Sequence, residues 1–88
     1  MFNPRVICYD VYGRIAEGNS EHIGFFKSLR EAEQVAKRES RNYPLGADID
    51  FNVYDADSVE RGEPDKLACQ QTRWYVGGVF NKVIRYWL

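Results

Sequence analysis

The residues that could do chemistry in this 88-residue chain are few and scattered. His22 is the only histidine, which excludes a two-histidine metal site, and no serine has a base in view that could activate it. Cys8 and Cys69 lie far apart, with no second cysteine or histidine at ligand spacing. We expect two reduced, buried thiols, and the alternative is a disulfide between them. The sequence therefore predicts no catalytic residue, no metal and no cofactor.

Two local patterns resemble ligand-binding loops but lack essential residues. The run from Asp55 to Glu60 has alternating aspartates, yet it lacks the glycine and the closing glutamate of a calcium-binding loop. Gly77-Gly78 is followed by neither a helix start nor a lysine, so a turn is expected there and not a phosphate loop. No feature of the sequence identifies a pair of catalytic carboxylates. An enzyme that uses carboxylates alone is nevertheless an alternative.

The formal net charge of -1 hides an uneven distribution of charge. Residues 44–65 carry seven acidic side chains and one basic side chain, which predicts either a solvated surface or a face that docks on a basic partner. The candidate residues of this acidic face are Asp48, Asp50, Asp55, Asp57, Glu60 and Glu63. Residues 66–88 carry four basic side chains and no acidic one, which predicts ordinary sheet packing or a single-stranded nucleic-acid site. The candidate residues of that alternative site are Arg73, Trp74, Tyr75, Lys82, Arg85 and Tyr86.

The principal helix is predicted for residues 28–42. Ser28 and Glu31 have the spacing of a capping box, which satisfies backbone N–H groups at a helix start. Pro44 ends the pattern, because proline disfavours helical geometry in the residue before it. The apolar residues of the segment fall on one stripe, namely Leu29, Ala32, Val35, Ala36 and Tyr43. Since alanine occupies the middle of this stripe, we expect the helix to lie close against a sheet.

Residues 5–12 are apolar at both parities, which predicts a central strand. A turn at Tyr12-Gly13-Arg14 would lead into a return strand that residues 21–26 complete. Residues 48–54 have the cleanest strand alternation of the chain. Their expected inward residues are Ile49, Phe51 and Val53, and their expected outward residues are Asp48, Asp50 and Asn52. Residues 55–66 are expected to be a polar surface loop.

The carboxyl-terminal stretch fits two structures. Residues 69–76 and 79–88 flank Gly77-Gly78 and are rich in β-branched and aromatic residues, which favours a hairpin with a two-residue turn. Phe80, Val83 and Ile84 also match helical spacing with the last residues of the chain. A short amphipathic helix from Asn81 to Leu88 is therefore the alternative.

These elements together predict one α+β domain over residues 1–88, an antiparallel sheet of four or five strands with one helix on one face, in the order β-β-α-β-β-β. One helix cannot cover both faces of such a sheet, so we expect exposed aromatic surface to be an interface with a partner or a second copy. The apolar run at the amino terminus is too short for a signal peptide or a membrane span. We therefore expect a cytoplasmic protein.

The capped helix over residues 28–43, the acidic residues 48–65 and the absence of motifs resemble the small accessory proteins of phages and mobile elements, including anti-CRISPR inhibitors. This resemblance implies a non-enzymatic inhibitor without a cofactor that blocks a host protein or nucleoprotein complex by occupying a surface. The first alternative is a module that binds single-stranded nucleic acid through the basic hairpin. A small structural homodimer or an enzyme is the further alternative.

Overall fold

The structure, a computed structural model, describes residues 4–85 as one five-stranded antiparallel sheet with two helices. The predicted α+β class and the order β-β-α-β-β-β are confirmed, and a short second helix is added between the third and fourth strands. The elements are β1 (Arg5–Ala16), β2 (Asn19–Phe26), α1 (Leu29–Glu39), β3 (Ala47–Asp55), α2 (Ala56–Glu60), β4 (Lys66–Val76) and β5 (Val79–Arg85). No helix within residues 4–85 is long and apolar enough to span a membrane.

The strand order across the sheet is β2-β1-β3-β4-β5. β1 therefore has a neighbour on each side, as its apolar residues on both faces predicted. Val11 of β1 pairs with Ile49 of β3, and Ile49 pairs in turn with Arg73 of β4. Successive side chains of a strand point to opposite faces, so this register sets which residues meet α1 and which do not.

α1 packs on one face of the sheet, above β1 and β3. Its start is the predicted one, because the Ser28 hydroxyl accepts a hydrogen bond of 3.3 Å from the backbone N–H of Glu31. Its end comes earlier than residue 42. The Ser40 hydroxyl donates to the Lys37 carbonyl oxygen at 2.8 Å, and residues 40–45 form turns before β3. The buried core between the helix and the sheet consists of Val11, Ala32, Ala36, Ile49, Phe51 and Tyr75.

The predicted turn at Tyr12-Gly13-Arg14 is wrong. β1 continues to Ala16, and the turn into β2 lies at Glu17 and Gly18. Gly13 is required for a different reason: the ring of Tyr43 lies against its backbone, where a Cβ atom would collide. A glycine needed for close packing has therefore the same sequence signature as a turn glycine.

The carboxyl-terminal stretch is a hairpin and not a helix, as far as residue 85. Gly77 and Gly78 have φ angles of 60° and 87°, the positive values that a two-residue primed turn requires. Tyr86 and the two residues after it lie outside the described residues. The predicted loop over residues 55–66 is partly wrong, because α2 occupies its first half.

Candidate functional site

The sheet face opposite α1 carries a layer of polar side chains, which we call the polar face. Its central members are Asp10, Asp48, Asp50, Asn52, Tyr54 and Thr72. The prediction that Asp48, Asp50 and Asn52 face outward into solvent is wrong for Asn52, which is 1% exposed, while both aspartates are only half-buried. Their burial depends on neighbours from β1 and β4, which the pattern of β3 alone does not reveal.

Asp10 is the centre of the polar face and is 4% exposed. One of its carboxylate oxygens accepts hydrogen bonds from Asn52 Nδ2 at 2.7 Å and from the Tyr54 hydroxyl at 2.5 Å. The other oxygen lies 2.9 Å from His22 Nε2, which acts as its donor. These three bonds join β1 to both of its neighbouring strands. A buried carboxylate is stable only with such partners, and Asp10 has three.

The Tyr54 hydroxyl, one donor of this network, holds its proton more tightly than an exposed tyrosine does. Burial raises the pKa of the Tyr54 hydroxyl well above its ordinary value, and the hydrogen bond to the Asp10 carboxylate raises it further. Burial likewise raises the pKa of the Cys8 thiol and of the Cys69 thiol. Reactive cysteines have lowered pKa values, so neither thiol has the environment of a nucleophile.

Asp50 and Asp48 have fewer side-chain partners than Asp10 among the described residues. Asp50 accepts a hydrogen bond of 2.7 Å from the Thr72 hydroxyl, and its pKa is raised, chiefly by burial. Asp48 lies 3.5 Å from Arg14, but burial outweighs this cation and raises the Asp48 pKa to about 6. Asp48 Oδ1 is buried without a hydrogen-bond partner among the described residues. A site of this kind favours the protonated carboxyl below about pH 6.

The six predicted acidic-face residues do not form one surface. Asp48 and Asp50 belong to the polar face. Asp55 is the N-cap of α2, where its carboxylate accepts a hydrogen bond of 3.0 Å from the Ser58 backbone N–H. The exposed members are Asp57, Glu60 and Glu63. Together with Asp55 and Asp65 they form what we call the acidic end, residues 55–65, with five acidic side chains and one basic side chain, Arg61.

The predicted nucleic-acid site is divided between the two faces of the sheet. Tyr75 lies under α1 and is 1% exposed, so its ring is not available for base stacking. Arg73 shares that face, 3.7 Å from Glu33 and above the ring of Phe51. Trp74 lies on the polar face and donates a hydrogen bond of 2.8 Å to the Leu45 carbonyl oxygen.

Two cations flank the ring of Trp74 on the polar face. The Arg14 guanidinium and the Lys82 ammonium lie 5.4 and 5.8 Å from the ring centroid. Asp48 is the direct cross-strand neighbour of Trp74, which places a carboxylate beside this cation–aromatic cluster. Arg85 belongs to β5. Consecutive strand residues therefore contribute to opposite faces, and the predicted set of six does not act as one platform.

The sequence prediction missed Asp10, His22, Asn52 and Tyr54 as a connected group. One signal was present: Asp10 interrupts the apolar run of β1 at the same parity as the fully buried Cys8. A charge at a buried parity needs a partner. The partners come from residues 12 to 44 positions away, so the sequence does not name them.

The helix side of the sheet has open grooves between its described residues. One groove of about 520 Å³, which we call the end groove, lies where β1 begins and β3 ends, and Ile7, Val53, Leu67 and Ala68 supply its apolar walls. Another has a volume of about 300 Å³ and lies between α1 and the carboxyl-terminal hairpin, bordered by Glu33, Lys37, Arg73, Tyr75, Phe80 and Val83. The end groove has the size of a small-ligand or side-chain pocket.

Cys8 is fully buried, as predicted, Cys69 is half-buried, and both are free thiols. Across residues 4–85, no three or more His, Cys, Asp or Glu side chains come close enough together to hold a metal ion. Comparison of the chain with protein-family models, with curated proteins and with solved structures gave no match.

Proposed function

We propose that this protein is a non-enzymatic binding protein that docks its acidic end on a basic surface of a host protein or nucleoprotein complex and thereby blocks that surface. The observation that carries the proposal is the exposure of Asp57, Glu60 and Glu63 on one short segment at one end of the sheet. None of the ion pairs found within residues 4–85 uses any of these three carboxylates. Within the described residues, no ion pair therefore neutralises these three charges.

Hydrogen bonds also connect the two ends of the acidic end and so favour an ordered segment. The Ser58 hydroxyl donates to the Asp55 carbonyl oxygen at 2.7 Å and accepts from the Asp65 backbone N–H at 2.8 Å. The Asp55 N–H donates to the Asp65 carbonyl oxygen at 3.1 Å, which closes the segment at its base. A segment that is ordered before binding loses less conformational entropy in the complex. This favours a docking surface over a solvated tail.

Exposed carboxylates act mainly on the rate of association. A cluster of one sign attracts a surface of the opposite sign over a distance of about 8 Å at physiological ionic strength, and more salt weakens the attraction. An inhibitor needs no further chemistry than such an occupied surface. The role implied by the resemblance to phage accessory proteins is therefore consistent with this site.

The test compares two double charge reversals of equal size. Asp57→Lys with Glu60→Lys changes the acidic end, and Glu17→Lys with Glu31→Lys changes exposed residues elsewhere. A partner is first captured from host lysate with the unaltered protein and purified, and association and dissociation rates are then measured at low and physiological salt. We expect the acidic-end variant to associate about tenfold more slowly at low salt. Equal rates for the two variants would overturn the proposal.

Naked nucleic acid is the competing ligand, and a mobility-shift assay tests it directly. Trp74 and Lys82 are the predicted contacts that remain together on one face, and Asp48 in the same cross-strand row would repel phosphate. We expect no shift of generic DNA or RNA at physiological salt. A tight complex under these conditions would replace the proposal by the nucleic-acid alternative.

A further inference from the structure

The end groove exposes apolar side chains where α1 no longer covers the sheet. One cross-strand row over three adjacent strands consists of Ile7, Val53 and Ala68. Leu67 precedes Ala68 on β4 and also lines the groove. Ile7 is 37% exposed and Leu67 is 48% exposed. Large apolar side chains that line a concave surface favour contact with another apolar group.

The end groove and the acidic end form one continuous surface. Asp55, which begins the acidic end, is the direct cross-strand neighbour of Arg5 at the lip of the groove. Asp65, which finishes it, is followed immediately by Lys66 and Leu67 at the start of β4. A ligand seated in the groove therefore lies close to the two residues at which the acidic end begins and finishes.

The charge beside the groove selects the kind of occupant. Residues 55–65 have five acidic side chains and one basic side chain, a net charge of -4, and adding the flanking Arg5 and Lys66 leaves -2. A symmetric dimer through this groove would bring two acidic ends, each with a net charge of -4, to one interface. These like charges at one interface would oppose the contact. A partner with basic residues has the complementary charge.

We propose that the end groove seats one apolar side chain of a partner segment whose flanking lysine or arginine residues contact the acidic end. This inference rests on the proposed function and adds the specificity element to it. The carboxylates attract the segment over a distance and increase the rate of association. The apolar contact forms only in the docked complex, so it slows dissociation.

The test uses the full chain and three labelled ten-residue peptides as probes. The first has one central leucine between lysines, the second has alanine in place of the leucine, and the third has glutamates in place of the lysines. Methyl NMR spectra locate the binding site, and fluorescence anisotropy measures the affinity. We expect the first peptide to shift the methyl signals of Ile7, Val53 and Leu67, while Val79 and Val83 on β5 stay unchanged. We expect the alanine peptide to bind about tenfold more weakly, because it buries less apolar surface.

A variant pair separates the groove from the rest of the surface. Leu67→Ala should lower the affinity for the leucine peptide about threefold or more, because an exposed apolar group is removed. The salt dependence of binding should stay unchanged, because no charge is altered. Val79→Ala is the matched control, since Val79 is 64% exposed and lies on the edge strand β5. It should leave the affinity unchanged.

The outcomes distinguish this inference from the function on which it rests. If the leucine and alanine peptides bind equally, or shift Val83 and not Leu67, the groove inference is wrong while the acidic end can still dock on a basic surface. If the chain sediments as a dimer that Leu67→Ala dissociates, a second copy is the occupant and the inference is wrong. If neither lysine peptide binds, and the captured partner associates equally fast with the unaltered protein and with the charge-reversed variant at Asp57 and Glu60, the proposed function fails as well.

Discussion

Asp10 and Asp50 lie directly opposite each other on β1 and β3, as cross-strand neighbours on the polar face. Two carboxylates in this relationship repel each other, which is destabilising in an antiparallel pair. Each is held by a separate set of donors: Asp10 by Asn52, Tyr54 and His22, and Asp50 by Thr72. Burial is the main reason that the Asp50 pKa is raised, and the charge of Asp10 contributes. Hydrogen bonds therefore maintain an arrangement that charge alone would oppose.

Replacing Asp10 by alanine should lower the free energy of unfolding by roughly 3 kcal/mol, because two buried donors, Asn52 Nδ2 and the Tyr54 hydroxyl, lose their acceptor. Urea unfolding at pH 7 measures this change. Asp57→Ala is the control, since Asp57 is exposed and should change stability by less than about 0.5 kcal/mol. Similar values for the two variants would show that the network does not stabilise the fold.

Asp48 should make stability depend on pH in the acidic range. Its pKa rises from the ordinary 3.8 to about 6 in the folded protein, so the native state binds this proton more tightly than the unfolded chain does. The stabilisation is therefore fully present below pH 4 and is lost as the pH rises through 6, an effect on the order of 3 kcal/mol.

The measurement for Asp48 is a comparison of the unaltered protein with Asp48→Asn between pH 4 and 7.5. Other carboxyl groups titrate in both proteins, so the difference between the two unfolding free energies isolates Asp48. We expect the asparagine variant to gain relative stability with rising pH. A difference that stays constant across this range contradicts the raised pKa.

Local signals in the sequence were sufficient for most of the elements. The Ser28 cap and the Gly77-Gly78 turn involve residues within a few positions of each other, and both predictions are confirmed. The cap of α2 has the same local character, because Asp55 accepts from the backbone of Ser58. It was missed because a five-residue helix has too few residues for a periodic apolar stripe.

The polar face could not be predicted from the sequence. Alternation in β3 separates its two faces correctly, with Ile49 and Phe51 under α1. It does not say that the other face is buried, because the neighbours of Asn52 are Cys8 on β1 and Cys69 on β4. Strand pairing over such separations depends on the whole topology and not on the local pattern.

Gly46 and Gly62 form a matched pair for a test of steric packing. Both have positive φ angles, 84° and 79°. A Cβ atom at Gly46 would collide with the Tyr75 backbone oxygen, whereas nothing lies near a Cβ atom at Gly62. Gly62→Ala should therefore cost roughly 1–2 kcal/mol from backbone strain alone. Gly46→Ala should cost at least about 2 kcal/mol more, because the backbone must also move.

Thermal or urea unfolding of both glycine variants gives this difference. The φ angles are nearly equal, so the excess cost at Gly46 reports the contact with β4. Equal losses of stability for the two substitutions would contradict the close contact between Gly46 and the Tyr75 backbone.

The two thiols should differ in their reactivity. Cys8 is fully buried and Cys69 is half-buried, and burial raises both pKa values. In the native protein, a thiol reagent such as Ellman's reagent should label Cys69 slowly and Cys8 more slowly still, since the thiolate is the reactive form. The variants Cys8→Ser and Cys69→Ser assign the two phases. We also expect both thiols to stay free under non-reducing conditions, and a disulfide on mass spectrometry would contradict this.

Asp55 and Asp57 should have different effects, although both were predicted as members of one acidic face. Asp55 caps α2 through the Ser58 N–H, whereas Asp57 is exposed on the first turn of that helix. Asp55→Ala should cost about 1 kcal/mol and loosen the acidic end. Asp57→Ala should leave the structure intact. Hydrogen exchange at the Ser58 and Asp65 amides measures this local change, because both amides donate within the closed segment.

Asp55→Ala and Asp57→Ala also separate the effect of charge on partner binding from the effect of segment order. A loss of partner binding in Asp55→Ala combines a lost charge with a loosened segment, while a loss in Asp57→Ala reports charge alone. We therefore expect Asp57→Ala to reduce the association rate with amide exchange unchanged, and Asp55→Ala to increase the dissociation rate as well, because the looser segment must be ordered again in the complex. Unchanged exchange at Ser58 in Asp55→Ala would contradict the capping role, and both aspartates would then act through charge alone.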